Sequence, residues 1–352
     1  MGIPHRHRLV GAVLVTVACL STLIAATASA LAQPSSWQRE WPNTDFTRTT
    51  IDFDEVMSGG PPKDGIPSID DPVFEPAAEV AGSLAPTEPV MSLVIEGEAR
   101  AYPLRVLMWH EIVNDRIGDT PIAVTYCPLC NSGIVFDRRI AGPDGGALTL
   151  EFGTTGKLRH SDLVMFDRQT ESWWQQYSGR AIVGALTGTE LDRIQSRLES
   201  VERFVERHPD GAMLVPSNPR ARPYGNNPYA GYDTTPRPFL YRGDYDGPGA
   251  PLMRVVAVHG AVDGQAWSLP LLRERGRIET DDGLILTWAP GQNSALDAGA
   301  IREGRDVGNV VVQRRSDAGE LRDVLHDIPF AFAFRAFHPD GPIHHLESDE
   351  GG

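Results

Sequence analysis

The sequence predicts an α+β fold that is predominantly β, and three observations carry that prediction. Short β-rich apolar runs recur at Met91–Ile95, Ile122–Tyr126, Ile134–Phe136, Leu148–Phe152, Leu163–Phe166 and Ile182–Val183, with Gly and Asp in the turns between them. Helical periodicity is confined to a few stretches, chiefly Leu104–Asn114 behind Pro103, and Leu191–Val205. The third observation is internal similarity. LVIEGEARAYPLRVL pairs with VAVHGAVDGQAWSLPLL, VTYCPLCNSGIVFD with LTWAPGQNSALDAG, and RFVERHPDG with AFRAFHPDG, in the same order. These blocks predict two diverged copies of a short-strand β unit with a few helices. The separation of matched residues shrinks from Pro103/Pro270 through Asn131/Asn293 to His208/His338. The first copy therefore carries an insert of roughly thirty residues that the second lacks.

Taken in order, the chain opens with a predicted signal peptide over residues 1–32. Arg6 and Arg8 precede an apolar run from Leu9, and Ala30-Leu31-Ala32 fits a small-residue cleavage rule. Thr16-Val17-Ala18-Cys19 is a poor lipobox, so lipidation of Cys19 is the lesser reading. Residues 33–88 read as a Pro- and Asp-rich arm, 89–213 as the first repeat, and 214–250 as a Pro/Gly/Tyr-rich connector whose tyrosines pack on something. Residues 251–345 form the second, degenerate repeat, and 346–352 an acidic tail. The expected address is exported: periplasmic, extracellular or cell-surface. No later stretch reads as a membrane span.

The 352-residue chain carries a formal net charge of −15, and Lys63 and Lys157 are its only lysines. So acidic a surface repels phosphate backbones, which excludes nucleic acid as an expected partner. No G-x-S-x-G, H-E-x-x-H or Walker-type loop is present. GDYDGPG lacks the glutamate of a calcium loop, and Asp64, Asp70 and Asp71 read as a solvated turn.

The chemically loaded segment is the loop Cys127-Pro128-Leu129-Cys130. Beyond Cys19 these are the only cysteines. A disulfide closing so short a loop constrains little of the unfolded chain, so the pair reads as chemical rather than structural. The second copy puts Ala289 and Gln292 at the two cysteine positions, so the turn is a shared device and only the first copy has thiols. Asn131, Ser132 and Gly133 continue a helix poorly, which predicts a strand-turn-strand hairpin resembling a metal knuckle. A closed zinc site needs four ligands. His110 is the leading candidate to join the sulfurs, as ligand or as base; a core histidine bonded to a carbonyl is the equal alternative. Glu111 either orients His110 or is solvated. Met165 and His160, in the insert, are further candidates that read equally as packing and surface. Trp173 and Trp174 read as core.

KDGIPSIDDPVF, AYPLRVLMWHEIVND, VTYCPLCNSGIVFD, FGTTGKLRHSDLVMFDRQTESWW and NNPYAGYD, in that order, resemble domain-of-unknown-function family 3179 over roughly residues 60 to 340. The resemblance implies little biochemistry. Some members are described as selenoproteins with selenocysteine in the CxxC-type loop, which implies redox work. It carries over to Cys127, Cys130 and the WHEIVND positions Trp109, His110, Glu111 and Asn114. Asn131 stands here where the family is expected to have glycine, and asparagine tolerates left-handed backbone.

The functional expectations are three. The first is a thiol-disulfide redox protein, possible enzyme, with Cys127 as nucleophile, Cys130 as resolving thiol and His110 as base. It needs no cofactor; its partner would be an unidentified redox protein or small-molecule substrate. The second is a copper or zinc protein using Cys127, Cys130 and His110 with Met165 or a carboxylate. The third is a surface scaffold with a structural disulfide.

Overall fold

Short segments rich in β-branched and aromatic residues pair into five sheets of four or five strands each. The computed structural model describes residues 35–142, 145–259, 264–316 and 318–347. The expected signal peptide over residues 1–32, with Cys19, and the tail beyond residue 347 lie outside the described residues. Among the described residues no helix is long and apolar enough to cross a membrane.

Sheet I has the strand order Arg197–Ser200, Pro89–Ile95, Glu98–Pro103, Ala212–Val215, Val73–Pro76. Sheet II has Arg193–Ile194, Ser132–Asp137, Thr120–Cys127, Ile112–Ile117. Sheet III has Val56–Ser58, Phe152–Arg159, Asp162–Asp167, Trp173–Gln175, Arg180–Val183. Sheet IV has His326–Asp327, Val255–Val258, Gln265–Ser268, Ile343–His344. Sheet V has Arg277–Glu279, Leu284–Ala289, Asn309–Arg315, Leu321–Asp323. A small two-stranded ribbon, Arg139–Ala141 with Ala147–Thr149, stands beside them.

The fold is thus mostly β with short helices, as expected, but its organisation corrects the two-unit expectation. Five sheets of blade size look like a five-bladed propeller rather than two copies of one unit. The matched blocks do have structural counterparts. Sheets I and IV share one connectivity, including a last strand that runs parallel to its neighbour: Ala212–Val215 beside Glu98–Pro103, and Ile343–His344 beside Gln265–Ser268. Sheets II and V share the other. Helices Val201–Arg207 and Ala331–Phe337 end at His208 and His338 with nearly the same backbone, φ −135°, ψ 70° and φ −133°, ψ 71°. Sheet III has no counterpart among the described residues; it is built largely from the insert.

Two helix expectations also change. The helix behind Pro103 runs only from Leu104 to His110, because Glu111 takes a left-handed conformation (φ 59°) and β-branched Ile112 and Val113 begin a strand. Likewise Arg193–Ile194 and Arg197–Ser200 are strands, and the helix starts only at Val201, where the Ser200 hydroxyl accepts the Arg203 N–H.

Most of the core is one cluster that runs from sheet I through sheets II and III, with Leu104, Ile122, Tyr126, Cys127, Phe152, Met165 and Trp174 among its members. The strand Thr120–Cys127 is buried on both faces from Pro121 onward. A strand covered on both sides delivers its C-terminal end into a dry interior, and at that end stands the CPLC turn.

Candidate functional site

Strand Thr120–Cys127 turns back through Pro128–Asn131 into Ser132–Asp137, with Cys127 paired to Ser132. Asn131 makes the reversal possible at φ 51°, and its N–H donates to the Pro128 carbonyl at 3.2 Å. The expected hairpin is therefore present. The turn is tied to the second half of the chain through two carbonyls: Tyr232 Oη donates to Leu129 O at 2.9 Å, and the Phe330 N–H donates to Cys130 O at 2.9 Å. Asn131 Nδ2 donates to Ile328 O at 2.6 Å, while its Oδ1 accepts from Tyr126 Oη at 3.1 Å. The expected connector thus supplies part of the site's cover.

Cys127 and Cys130 are free thiols and almost fully buried, with 2% and 0% exposure. Their third neighbour is Asp162. The two sulfurs and a carboxylate oxygen of Asp162 all lie within 4.8 Å of one another. Asp162 opens the strand Asp162–Asp167 after the tight turn His160–Ser161, both residues at positive φ. Cys127 Sγ donates to the Ser161 carbonyl at 3.8 Å, which fastens that turn against the hairpin. Asp162 Oδ2 accepts from Gln175 Nε2 at 2.6 Å and from the Tyr177 N–H at 2.9 Å. Its Oδ1 is buried, and among the described residues no N–H or O–H reaches it; the carboxyl's other donors are the thiols of Cys130 and Cys127.

Glu111 is the fourth acid. Its left-handed cap turns the chain towards the hairpin, where the Tyr126 N–H donates to its carbonyl at 2.8 Å. Burial pushes the Glu111 carboxyl up to about 8, with the Asp162 charge adding to the effect. Burial pushes Asp162 up to about 7, against the pull of its donors. The thiols move the same way. Burial raises Cys127, and the Asp162 and Glu111 charges raise it further, while Cys130 offsets part of the rise; Cys130 is pushed higher still by burial and by Cys127. Three acidic groups therefore share one dry volume, and the buried Glu111 is near enough for its charge to act on Cys127 and Asp162.

The expected set of Cys127, Cys130 and His110 is not assembled. His110 Nδ1–H donates to Pro67 O at 2.7 Å, and Nε2 accepts from Tyr224 Oη at 2.8 Å. Both ring nitrogens are engaged away from the sulfurs, and burial lowers the pKa of the ring. Met165 is buried in the core cluster opposite Trp174. Three residues on from Asp162 along one strand, it projects to the other face, so it packs rather than ligates. Asn114 is structural: its side chain accepts the Phe152 N–H at 2.9 Å and donates to Phe152 O at 2.8 Å. Trp109 packs half-buried on the core. His160 lies 3.6 Å from Glu55 on the outer side of its turn.

Asp162 is the residue that sequence reasoning misses. It sits between the two insert candidates, His160 and Met165, and opens an apolar run. An acid leading such a run is the available signal, but a solvated turn leaves the same one.

No curated protein and no solved structure matches the chain. The family described as "Protein of unknown function (DUF3179)" matches residues 63–341, most of the chain, and the protein belongs to that family.

Proposed function

We propose that Cys127, Cys130 and Asp162 bind a zinc ion, with Glu111 closing the fourth position directly or through a water. The carrying observation is the Oδ1 of Asp162, buried without an N–H or O–H donor, in a carboxylate within 4.8 Å of two thiols. The remaining donors to this carboxyl are the thiols of Cys130 and Cys127; S–H is a weak donor, so a buried oxygen served by it keeps part of the cost of about 1–3 kcal/mol of an unmet acceptor, and a cation removes that cost. Four acids with raised pKa values, and no guanidinium or ammonium paired with them among the described residues, make the same argument from charge. The donor chemistry selects the ion: two thiolates with carboxylate oxygen suit Zn(II), whereas Cu(I) favours sulfur throughout. Gln175 and the Tyr177 N–H would orient Asp162 from behind, as second partners of metal ligands do. On binding, both thiols and the carboxyl release their protons, so affinity climbs steeply with pH.

A thiol-disulfide reading is the second one, favoured by two free sulfurs in contact range of each other. There the pair would lose two protons and two electrons to an oxidant small enough to enter, with Asp162 replacing His110 as proton acceptor. Buried thiols of raised pKa are weak nucleophiles, which argues against it. The exported address remains part of either proposal. The matching connectivities of sheets I–II and IV–V support reading four of the blades as an ancient duplication, with sheet III inserted into the first copy.

Untagged protein, purified without chelator, is expected to carry about one zinc per chain, and the Cys127→Ser/Cys130→Ser double variant none. Metal-free wild type with a reduction potential typical of thiol oxidoreductases would overturn the zinc reading and leave the redox one.

A further inference from the structure

The structure holds a second chemically distinct place, away from the sulfurs. A solvent-open cleft of about 340 Å³ lies between the start of helix Leu269–Arg275, the loop around Asp306 and the segment Asp233–Arg254. That volume is in the range of small-ligand pockets. Its floor is apolar, built by Leu252, Met253, Leu269 and Val307. Its charged lining is three guanidinium groups against two carboxylates: Arg254, Arg273 and Arg305 with Asp233 and Asp306.

The carboxylates are already engaged. Asp233 Oδ2 accepts from Arg254 at 2.7 Å, from Ser294 Oγ at 2.7 Å and from Arg305 at 2.8 Å. Asp306 Oδ1 accepts the backbone N–H of Gln292 at 3.2 Å and of Gly308 at 2.8 Å, and the Gly291 N–H donates to both its oxygens. Arg305, 43% exposed at the mouth, already grips Asp233 with both arms of its fork at 2.9 and 2.8 Å and has Asp297 at 3.5 Å. Arg273 is the guanidinium that keeps donors to offer. Arg273 rests its guanidinium over the Trp288 ring at 5.3 Å, and among the described residues no carboxylate pairs with it. With Asp297 counted beside Arg305, three guanidiniums meet three carboxylates, and Arg273 is the charge left without a carboxylate partner above the apolar floor.

We infer that this cleft binds a small organic carboxylate with an apolar body, its charged end on Arg273 and its body on Leu252 and Met253. Planar guanidinium matches carboxylate in shape as well as charge. The site is independent of the zinc reading and stands if that reading fails.

The test is calorimetric titration of the full chain with octanoate as probe. Saturable binding is expected, weakened about tenfold by Arg273→Gln and largely kept by Arg273→Lys. Arg273 is exposed, so its variants are expected to unfold at the wild-type midpoint, and Met253→Glu is a second variant that should abolish binding from the floor. Octan-1-ol and inorganic phosphate each supply one half of the recognition and are expected to bind at least about tenfold more weakly. Octanoate failing to saturate by about 10 mM, or binding unchanged in Arg273→Gln, overturns the site. Octanol or phosphate binding as tightly as octanoate overturns the ligand class.

Discussion

Asp162 and Asp233 are both buried aspartates that lie near one of the two aligned turns, and their surroundings drive them in opposite directions. Burial raises the pKa of each. At Asp233, Arg254, the Ser294 hydroxyl and Arg305 outweigh burial, and the carboxyl ends below its ordinary value. At Asp162 neutral donors are all that oppose burial, and the carboxyl ends at about 7. The aligned serines repeat the contrast. Ser294 Oγ donates to Asp233 at 2.7 Å, while Ser132 Oγ is buried with no partner. One cluster is electrically closed and belongs to the fold. The other is left open, and an open cluster in a dry interior is where an added cation gains most.

Removing a closed cluster's cation should do the most damage. Arg254 has 5% side-chain exposure and its partner Asp233 has 0%. Arg254→Met leaves Asp233 buried with only the half-exposed Arg305, and should cost about 3–5 kcal/mol in urea unfolding. The mirror experiment, Asp162→Asn, should do the reverse. Asparagine still accepts from Gln175 and the Tyr177 N–H, so metal-free stability should hold or rise by about 1 kcal/mol, while bound zinc falls to a trace. A large loss of metal-free stability in Asp162→Asn would make the two clusters alike and remove the contrast.

Proton linkage separates the clusters next. Asp162 and Glu111 titrate at about 7 and about 8 in the fold, against 3.8 and 4.5 for the ordinary groups. Between those limits the metal-free native state keeps protons that the unfolded chain has released. Its stability should therefore fall as pH rises from about 4 to about 8, and fall again above about 9, where the unfolded thiols ionise and the buried ones stay protonated. Asp233 has the opposite sign: its contribution should be present at neutral pH and disappear in acid below its ordinary value. Urea midpoints against pH, with Asp162→Asn and Glu111→Gln as controls that flatten the neutral slope, measure both. A wild-type slope that either substitution leaves unchanged would mean the raised carboxyls lie elsewhere.

The contrast also explains which features are legible in the sequence. The hairpin is readable because its cause is local: three poor helix residues come after Cys130, and one of them tolerates left-handed backbone. The paired turns are readable because His208 and His338 sit in the same four-residue motif. Glu111 reads as an accessory of His110 because a helix end is uncertain by a residue or two, and one residue rotates a side chain by about 100°. The helix stops at His110, so the next residue, not the histidine, is the one whose backbone meets the hairpin strand at Tyr126. Asp162 is not readable at all. Its role comes from sheet III packing against sheet II, a contact between segments more than about thirty residues apart that no spacing rule encodes. Five blades are hidden for the same reason: matched blocks reveal the sheets that repeat and are silent on the one that does not.

The smallest expected effect tests whether the hairpin's geometry and its ties to sheet IV can be told apart. Asn131 holds φ 51°, and its side chain also bonds Ile328 O and Tyr126 Oη. Asn131→Gly keeps the backbone conformation and loses the two bonds, so it should cost about 1–2 kcal/mol. Asn131→Ala loses the same bonds and adds a left-handed penalty of about 1 kcal/mol. The difference between the variants isolates the turn, and their common loss isolates the side chain's bridge to Ile328. Zinc content separates the roles further. If the knuckle backbone aims the sulfurs, Asn131→Ala should lower zinc affinity more than Asn131→Gly does. If both variants bind zinc equally well, the cluster is held by sheet packing alone, and the turn that the matching block Ala289–Ser294 keeps without sulfurs is only a connection.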